Sequence, residues 1–249
     1  MLTEESLKTI LALNPPCVEI FINAEQELAP SYLKGLRKMA DSEGAKITSV
    51  HPYLSGMEPM YFFSKYPRRF EEGRKVYKSF FKAAGILGAD SVVFHGDHKL
   101  NPKDYPRYFE RFAVLWEDAR NYGISLCQEN VERCQSRDVN FFAEMRQSLP
   151  EVEYILDIKQ VVRAGQNINK MVEVMAGRIR HVHLSDHNAE HSCLPPGEGV
   201  LNIEELLAGI AKTGFSGSVI VELYRENFAG IVELSVGFKH LSLILSTIS

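Results

Sequence analysis

Hydrophobic residues along the chain fall into two alternating rhythms. Over residues 3–14, Leu7, Ile10, Leu11 and Leu13 recur at helical spacing, while Thr3 can cap the first turn and Glu4 and Glu5 complement its positive end. Pro15-Pro16 stops that helix, and the nearly continuous apolar run 17–22 follows as a strand. The pair of rhythms then repeats to the C-terminus. Helices are expected at about 29–43, 65–87, 103–122, 138–148, 167–176, 202–212 and 228–246, and strands at 46–51, 91–95, 124–129, 153–157, 179–184 and 217–223. Pro30 suits a first helical turn, and Gly44, Gly88 and Gly123 suit helix ends.

Apolar strands separated by helices imply a parallel sheet covered by helices. No linker, low-complexity tract or composition break interrupts the pattern, so the reading is one α/β domain over 1–249. Seven strands and eight helices fit a (β/α)8 TIM barrel lacking its first strand. Strands 17–22 and 217–223 would then face each other across an open seam with unpaired backbone groups. An incomplete barrel, a homo-oligomer contact covering the seam, or a chain beginning downstream of its natural start would each account for this. A doubly wound open sheet is the alternative, but no GxGxxG follows an early strand.

Composition narrows the picture little. The 249 residues are 45% hydrophobic and 24% charged, ordinary for a globular protein. A net charge of −4 leans against nucleic acid as a partner. No uninterrupted apolar run approaches the ~20 residues of a membrane span, and Met1-Leu-Thr-Glu-Glu-Ser6 lacks the features of a signal peptide. Cys17, Cys127, Cys134 and Cys193 form no paired motif, which points to free thiols and a cytoplasmic protein.

The candidate chemistry lies where the strands end. Val-Val-Phe-His95, Leu-Cys-Gln-Glu129, Tyr-Ile-Leu-Asp157 and Val-Ile-Val-Glu222 each finish on an ionisable residue, and His181-Val-His183-Leu-Ser-Asp186 places imidazoles at alternate positions. In a barrel these ends converge on one face, together with Glu19 and His51. Glu129, Asp157, His183 and Glu222 form an oxygen-rich donor set for one divalent ion, Mn²⁺, Mg²⁺, Co²⁺ or Zn²⁺. Taken singly, each carboxylate reads as well as a solvated strand end or a core ion pair. Together they need compensation, because unpaired buried charge is expensive. His51, His95, His181 and Glu19 are candidate substrate contacts or packed barrel residues, whereas His98, His187 and His191 read as loop residues. Met60, Tyr61, Phe62 and Phe63 suggest a cover over the mouth. Lys65, Arg68, Arg69, Arg74 and Lys75 read as the polar face of a helix, and Gly197-Glu198-Gly199 as a tight turn with Glu198 free to orient a ligand.

Val-Glu-Ile20, His51-Pro-Tyr, Phe-His95-Gly, Glu129-Asn-Val, Leu-Asp157, His181-Val-His183-Leu, Pro196-Gly-Glu-Gly199 and Val-Glu222-Leu occur in an order and spacing that resemble the xylose isomerase-like TIM-barrel superfamily, the sugar phosphate isomerases/epimerases and their relatives. The resemblance covers almost the whole chain. It implies a metal held by Glu129, Asp157, His183 and Glu222, with Glu129 and Glu222 as the acid/base pair of a sugar isomerase or epimerase. The implied substrate is a small polyhydroxylated carbonyl compound, and a related lyase or dehydratase could use the same enolate chemistry. The chain departs from its relatives at Asp157-Ile-Lys-Gln160, where Gln160 replaces a histidine and can bond a substrate hydroxyl but ligates metal poorly. The loop from His183 to Gly197 also lacks the arginine that epimerases use on substrate. These departures make a degenerate barrel that binds a small ligand without turnover a competing reading. A further resemblance, to three-zinc AP endonucleases of the endonuclease IV type, matches His51, His95, Glu129, Asp157, His183 and Glu222. It meets Gln160, His191 and Cys193 where further zinc ligands belong.

Overall fold

The computed structural model describes residues 1–248. Seven parallel strands form one sheet in sequential order. They are β1 (Cys17–Ile22), β2 (Lys46–Pro52), β3 (Ser91–Phe94), β4 (Ser125–Glu129), β5 (Tyr154–Asp157), β6 (Ile179–Leu184) and β7 (Ser218–Val221). Around them pack α1 (Thr3–Leu11), α2 (Pro30–Ser42), α3 (Pro67–Leu87), α4 (Tyr105–Arg120), α5 (Val139–Ser148), α6 (Ile158–Arg163), α7 (Ile168–Met175), α8 (Ile203–Ala211) and α9 (Ile231–Ile248). The result is a nearly closed α/β barrel of the TIM type.

The differences from the sequence reading have local causes. The helix expected from 65 begins two residues later, after a turn that reads as loop in the sequence. Pro59–Phe63 makes a single wide π-type turn, and α3 starts at Pro67, a residue suited to the first helical turn because it lacks an N–H. Gly88 ends α3 in the left-handed conformation, at φ 78°. The six-residue α6 was not anticipated, being too short to show a period. Asp157 starts it by accepting a hydrogen bond from the Gln160 amide at 3.1 Å, so one carboxylate both closes a strand and caps a helix.

Between barrel and helices lies an aromatic wall of Phe62, Tyr77, Phe80, Phe94, Phe112, Phe141, Phe142 and Tyr154, all fully buried. Edge-to-face contacts such as Phe62–Tyr77, with centroids 5.1 Å apart, and Phe142–Tyr154, at 5.2 Å, lock it. That rigidity fixes the strand ends that carry the ionisable groups. Parallel register sets Asp157 beside His183 and His183 beside Ile220. Glu222, one residue beyond β7, stays in line by donating its amide to Leu184 O at 3.0 Å.

The seam lies between β1 and β7, which are neighbours without a hydrogen-bonded ladder. A groove of about 240 Å³ runs along it, lined by Leu13, Val18, Val219, Val221, Phe238 and Leu245. β7 is half-buried throughout, whereas β3 and β5 are fully buried. α9 packs over the seam through Leu241 and keeps Val232, Val236 and Leu243 exposed at 76%, 57% and 67%. Its 18 residues and mean hydropathy of 1.4 are enough, by length and composition only, to cross a membrane. The sequence reading passed over it because Glu233, Lys239 and His240 interrupt the run.

Candidate active site

Four donors converge at the carboxyl ends of β4 to β7. His183 Nδ1 lies 2.9 Å from Glu222 Oε2, 3.1 Å from Glu129 Oε1 and 3.9 Å from Asp157 Oδ2. All four donor atoms fall within 4.8 Å of one another. Bonds of about 2.0–2.2 Å to one ion place neighbouring donors roughly 3 Å apart, the spacing of Glu222 and Glu129 about His183. The donors therefore fit a divalent ion. The opposite nitrogen, His183 Nε2, faces Glu19 Oε1 at 3.2 Å, an arrangement that orients a ligating imidazole.

Glu19 is fixed from two directions. Ser49 donates to its Oε2 at 2.6 Å, and His181 Nε2 lies 3.3 Å from the same oxygen. His181 also reaches His183, Nε2 to Nε2, at 3.0 Å. Glu19, His181 and His183 thus form a second donor group, deeper in the barrel. The third group is His51, His95 and Glu129. His95 Nε2 is 3.1 Å from His51 Nε2 and 3.5 Å from Glu129 Oε2. His51 stacks on Phe21, with centroids 4.4 Å apart, and its buried Nδ1 has no hydrogen-bond partner.

The residue behind His95 is Glu58, fully buried in the loop before the aromatic turn. It accepts from the backbone amides of His95 at 2.9 Å and Gly96 at 2.5 Å, from the Tyr77 hydroxyl at 2.5 Å, and from His95 Nδ1 at 2.9 Å. Because a carboxylate only accepts, this last contact assigns the proton to Nδ1 and turns Nε2 toward His51 and Glu129.

A lysine not anticipated at the site stands beside the four donors. Lys159, 2% exposed, bridges Asp157 Oδ2 and Glu222 Oε2, the latter at 2.5 Å. Its neighbour Gln160 is held off the centre: Oε1 accepts from the Glu132 amide at 3.0 Å, and Nε2 lies 3.5 Å from the Tyr224 hydroxyl. Tyr224 receives Arg163 Nη1 at 3.0 Å, and its ring lies under Lys159 Nζ, 5.4 Å from the centroid. Asn130 clips the strand ends together, accepting from the Asp157 amide at 2.8 Å and donating to Asp157 O at 2.9 Å.

The electrostatics follow from five carboxyl groups, Glu19, Glu58, Glu129, Asp157 and Glu222, crowded with one lysine and four imidazoles. Burial opposes ionisation of Glu129, but the His183 hydrogen bond and the charges of His95 and His183 prevail and bring it down to about 2. Glu222 is likewise held well below the carboxylate range, with burial outweighed by His183 and Lys159. Burial also opposes ionisation of Glu19, yet the charge of His183 and hydrogen bonds from His181 and His183 hold it well below that range. Asp157 carries the strain. Burial, reinforced by repulsion from Glu222 and Glu129, overcomes the attraction of Lys159 and pushes it up to about 8. Against the cost of burial, Glu222 and Glu19 raise His183 well above its ordinary value, and Glu58 raises His95. Burial and the charge of His95 lower His51 to about 4, and burial lowers His181. Carboxyl groups in this excess over cationic groups call for more positive charge, which a divalent ion supplies.

Of the residues singled out from sequence, Glu19, His51, His95, Glu129, Asp157, His181, His183 and Glu222 come together, with Gln160 at their edge. Glu198 does not join them. It is exposed and faces Glu233 on α9, because Asp186 draws its loop outward by accepting from the amides of His187, Gly197, Gly199 and Leu201 at 2.7–3.1 Å. Among the described residues no donor group forms from Gln160, His191 and Cys193: His191 is exposed, and the Cys193 thiol lies 4.0 Å from Glu222 O. The third zinc site implied by the nuclease resemblance is therefore not assembled. Arg74 is a structural residue, bound to Asp118 at 2.7 Å.

The family model described as xylose isomerase-like TIM barrel matches residues 10–241. An inosose isomerase of Halalkalibacterium halodurans is 25% identical over 126 residues, 46% of this chain and 44% of that protein, so the match spans under half of the relative's length. Among solved structures, D-psicose 3-epimerase with D-tagatose from Clostridium cellulolyticum H10 superposes with a TM-score of 0.80, at 15% identity, over 97% of this chain and 93% of that one. The IOLI protein with a binding zinc atom gives a TM-score of 0.77 at 18% identity, over 98% and 94%. Both superpositions are likenesses of fold.

Proposed function

Given that this chain belongs to the xylose isomerase-like TIM barrel family, we propose that it is a divalent-metal-dependent isomerase or epimerase of a small polyhydroxylated carbonyl compound. One observation carries the reading: Glu129, Asp157 and Glu222 converge on a single nitrogen of His183 at the carboxyl ends of adjacent strands. The relatives are named for ketoses and inososes, which share a carbonyl beside a hydroxyl-bearing carbon.

Bound by Glu129, Asp157, His183 and Glu222, a divalent ion (Mn²⁺, Mg²⁺, Co²⁺ or Zn²⁺) would polarise the substrate carbonyl and stabilise negative charge on its oxygens. The chain's own groups do the rest. Glu129 and Glu222 approach His183 from different strands, so one takes the proton from the carbon beside the carbonyl and the other returns it. Their low affinity for protons keeps both ionised before substrate binds. His51 and His95 offer ring nitrogens to substrate hydroxyls, Glu58 holding His95 in register. Glu19 and His181 support His183, while Gln160, engaged by the Glu132 amide and facing Tyr224, stays at the edge of the site. Of Met60 to Phe63, Phe62 packs on Tyr77 and Phe94 and Phe63 stacks on Tyr108, so these two rings belong to the wall behind the site. A homo-oligomer in the cytoplasm, with α9 and the seam covered by a second copy, completes the proposal.

The test is solvent exchange. Purified protein supplied with each metal in turn is incubated with ketohexoses and inososes in D₂O, and deuterium is followed at the carbon beside the carbonyl. Incorporation with product formation is expected for at least one pair. A barrel that binds sugar without exchange is a ligand-binding protein, and elimination of water in place of exchange identifies a dehydratase.

A further inference from the structure

We propose that Lys159 is a tethered cation that competes with the divalent ion for Asp157 and Glu222, so that metal enters only as the ammonium leaves. This rests on the reading of the four donors as a metal centre. Lys159 holds the oxygens that face that centre. Glu222 Oε2, 2.5 Å from Nζ, is the atom that lies 2.9 Å from His183 Nδ1, and Asp157 Oδ2, also bound by Nζ, is the atom nearest to His183 on that residue.

A bystander lysine would sit elsewhere. Lys159 lies two residues after Asp157 in the first turn of α6, which directs its stem back across the strand end. It is buried and paired to the carboxyl groups of those two residues, over the Tyr224 ring. Its positive charge offsets part of theirs, and a dication arriving at the same oxygens meets a like charge that solvent does not screen. Metal affinity is therefore set by the lysine as well as by the ligands. A lysine that merely aligned the carboxylates would act in the opposite direction, since removing it would disorder the ligands and weaken binding.

The experiment uses the full chain stripped with chelator and titrated with Mn²⁺ and Zn²⁺ by calorimetry, comparing wild type, Lys159→Met and Lys159→Arg. Lys159→Met keeps the stem and removes the charge, and is expected to bind metal at least tenfold more tightly, whereas Lys159→Arg binds no more tightly than wild type. Equal or weaker binding by Lys159→Met overturns the proposal while leaving the metal centre standing. No binding by any of the three overturns both. Should Lys159→Met not fold, the wild type decides. In ¹⁵N spectra of lysine ammonium groups, the resonance absent from Lys159→Arg should shift or vanish as Zn²⁺ saturates, and its persistence unchanged at saturation rejects the competition.

Discussion

Replacing Glu58 by glutamine perturbs the site from behind, without touching Glu129, Asp157, His183 or Glu222. The carboxylate makes four contacts in a fully buried position, two to backbone amides and two to the side chains of Tyr77 and His95. Glutamine preserves its shape. Its carbonyl can keep the His95 and Gly96 amides, which leaves the NH₂ facing the Tyr77 hydroxyl and His95 Nδ1. The hydroxyl turns to accept, but Nδ1 must surrender its proton, and the imidazole changes tautomer or loses its charge. Hydrogen bonds to charged groups are worth about 1.5–3 kcal/mol each, and two lose that character here. Allowing for relaxation, Glu58→Gln should cost about 2–4 kcal/mol. At about 2–4 °C per kcal/mol for a chain of this size, the melting temperature falls by roughly 4–16 °C. Thermal melts measure the loss, and ¹⁵N spectra of the histidine rings report whether Nδ1 of His95 keeps its proton. A variant that melts with wild type and retains a protonated Nδ1 would falsify the assignment of Glu58 as the group that orients His95.

Other perturbations probe other parts of the molecule. Glu129→Gln and Glu222→Gln should each slow deuterium exchange into substrate by about 10²–10⁴-fold, with far-ultraviolet circular dichroism unchanged; exchange at the wild-type rate in either removes that residue from proton transfer. Asp186→Ala strips four backbone amides of their acceptor. Hydrogen exchange over 187–201 should accelerate at least tenfold in this variant, and unchanged protection would mean the loop is ordered by something else. Burial opposes ionisation of Asp118, but Arg74 and Lys78 outweigh it and lower its pKa. The stability it contributes is therefore complete above its unfolded pKa of about 3.9 and is lost as pH falls through the lower folded value. Asp118→Asn should be less stable than wild type at neutral pH, and the gap should close below pH ~4 in denaturant titrations; a gap constant with pH contradicts the sign. Val236→Asp on the exposed stripe of α9 should reduce the sedimentation coefficient if a second copy covers that face, and an unchanged oligomer places the interface elsewhere.

The architecture was legible because its signals are local and repeated. Each strand is a short apolar run, the helices before α9 close near a glycine or proline, and seven repetitions leave few alternatives. The convergence of Glu129, Asp157, His183 and Glu222 followed from topology, since a parallel barrel gathers strand ends whatever the intervening sequence. Glu58 was not legible. It meets His95 across 37 residues from beside a loop that reads as an aromatic cover, and no local sequence signal pairs the two. Lys159 left a weak trace: a charged residue two positions after a strand-end carboxylate reads as a solvated turn until α6 is known to begin there. Glu198 misled for the converse reason. Its Gly-Glu-Gly setting suggested a ligand loop, but the direction of that loop is decided by Asp186 at its root.

The open seam has a mechanical consequence. A closed barrel is a hoop, and tension at one joint is shared around the whole ring. Here the joint between β1 and β7 has no ladder, and Glu19 on β1 reaches past β7 to His181 and His183 on β6. Those side-chain contacts act as a latch where backbone bonds are missing, and the latch is also what aims His183 at Glu129, Asp157 and Glu222. Heat or denaturant that parts the seam should misdirect the imidazole before the remaining ladders yield. The four-residue cluster would then come apart at a milder condition than secondary structure, and amide exchange along β1 would mark the place where it fails first.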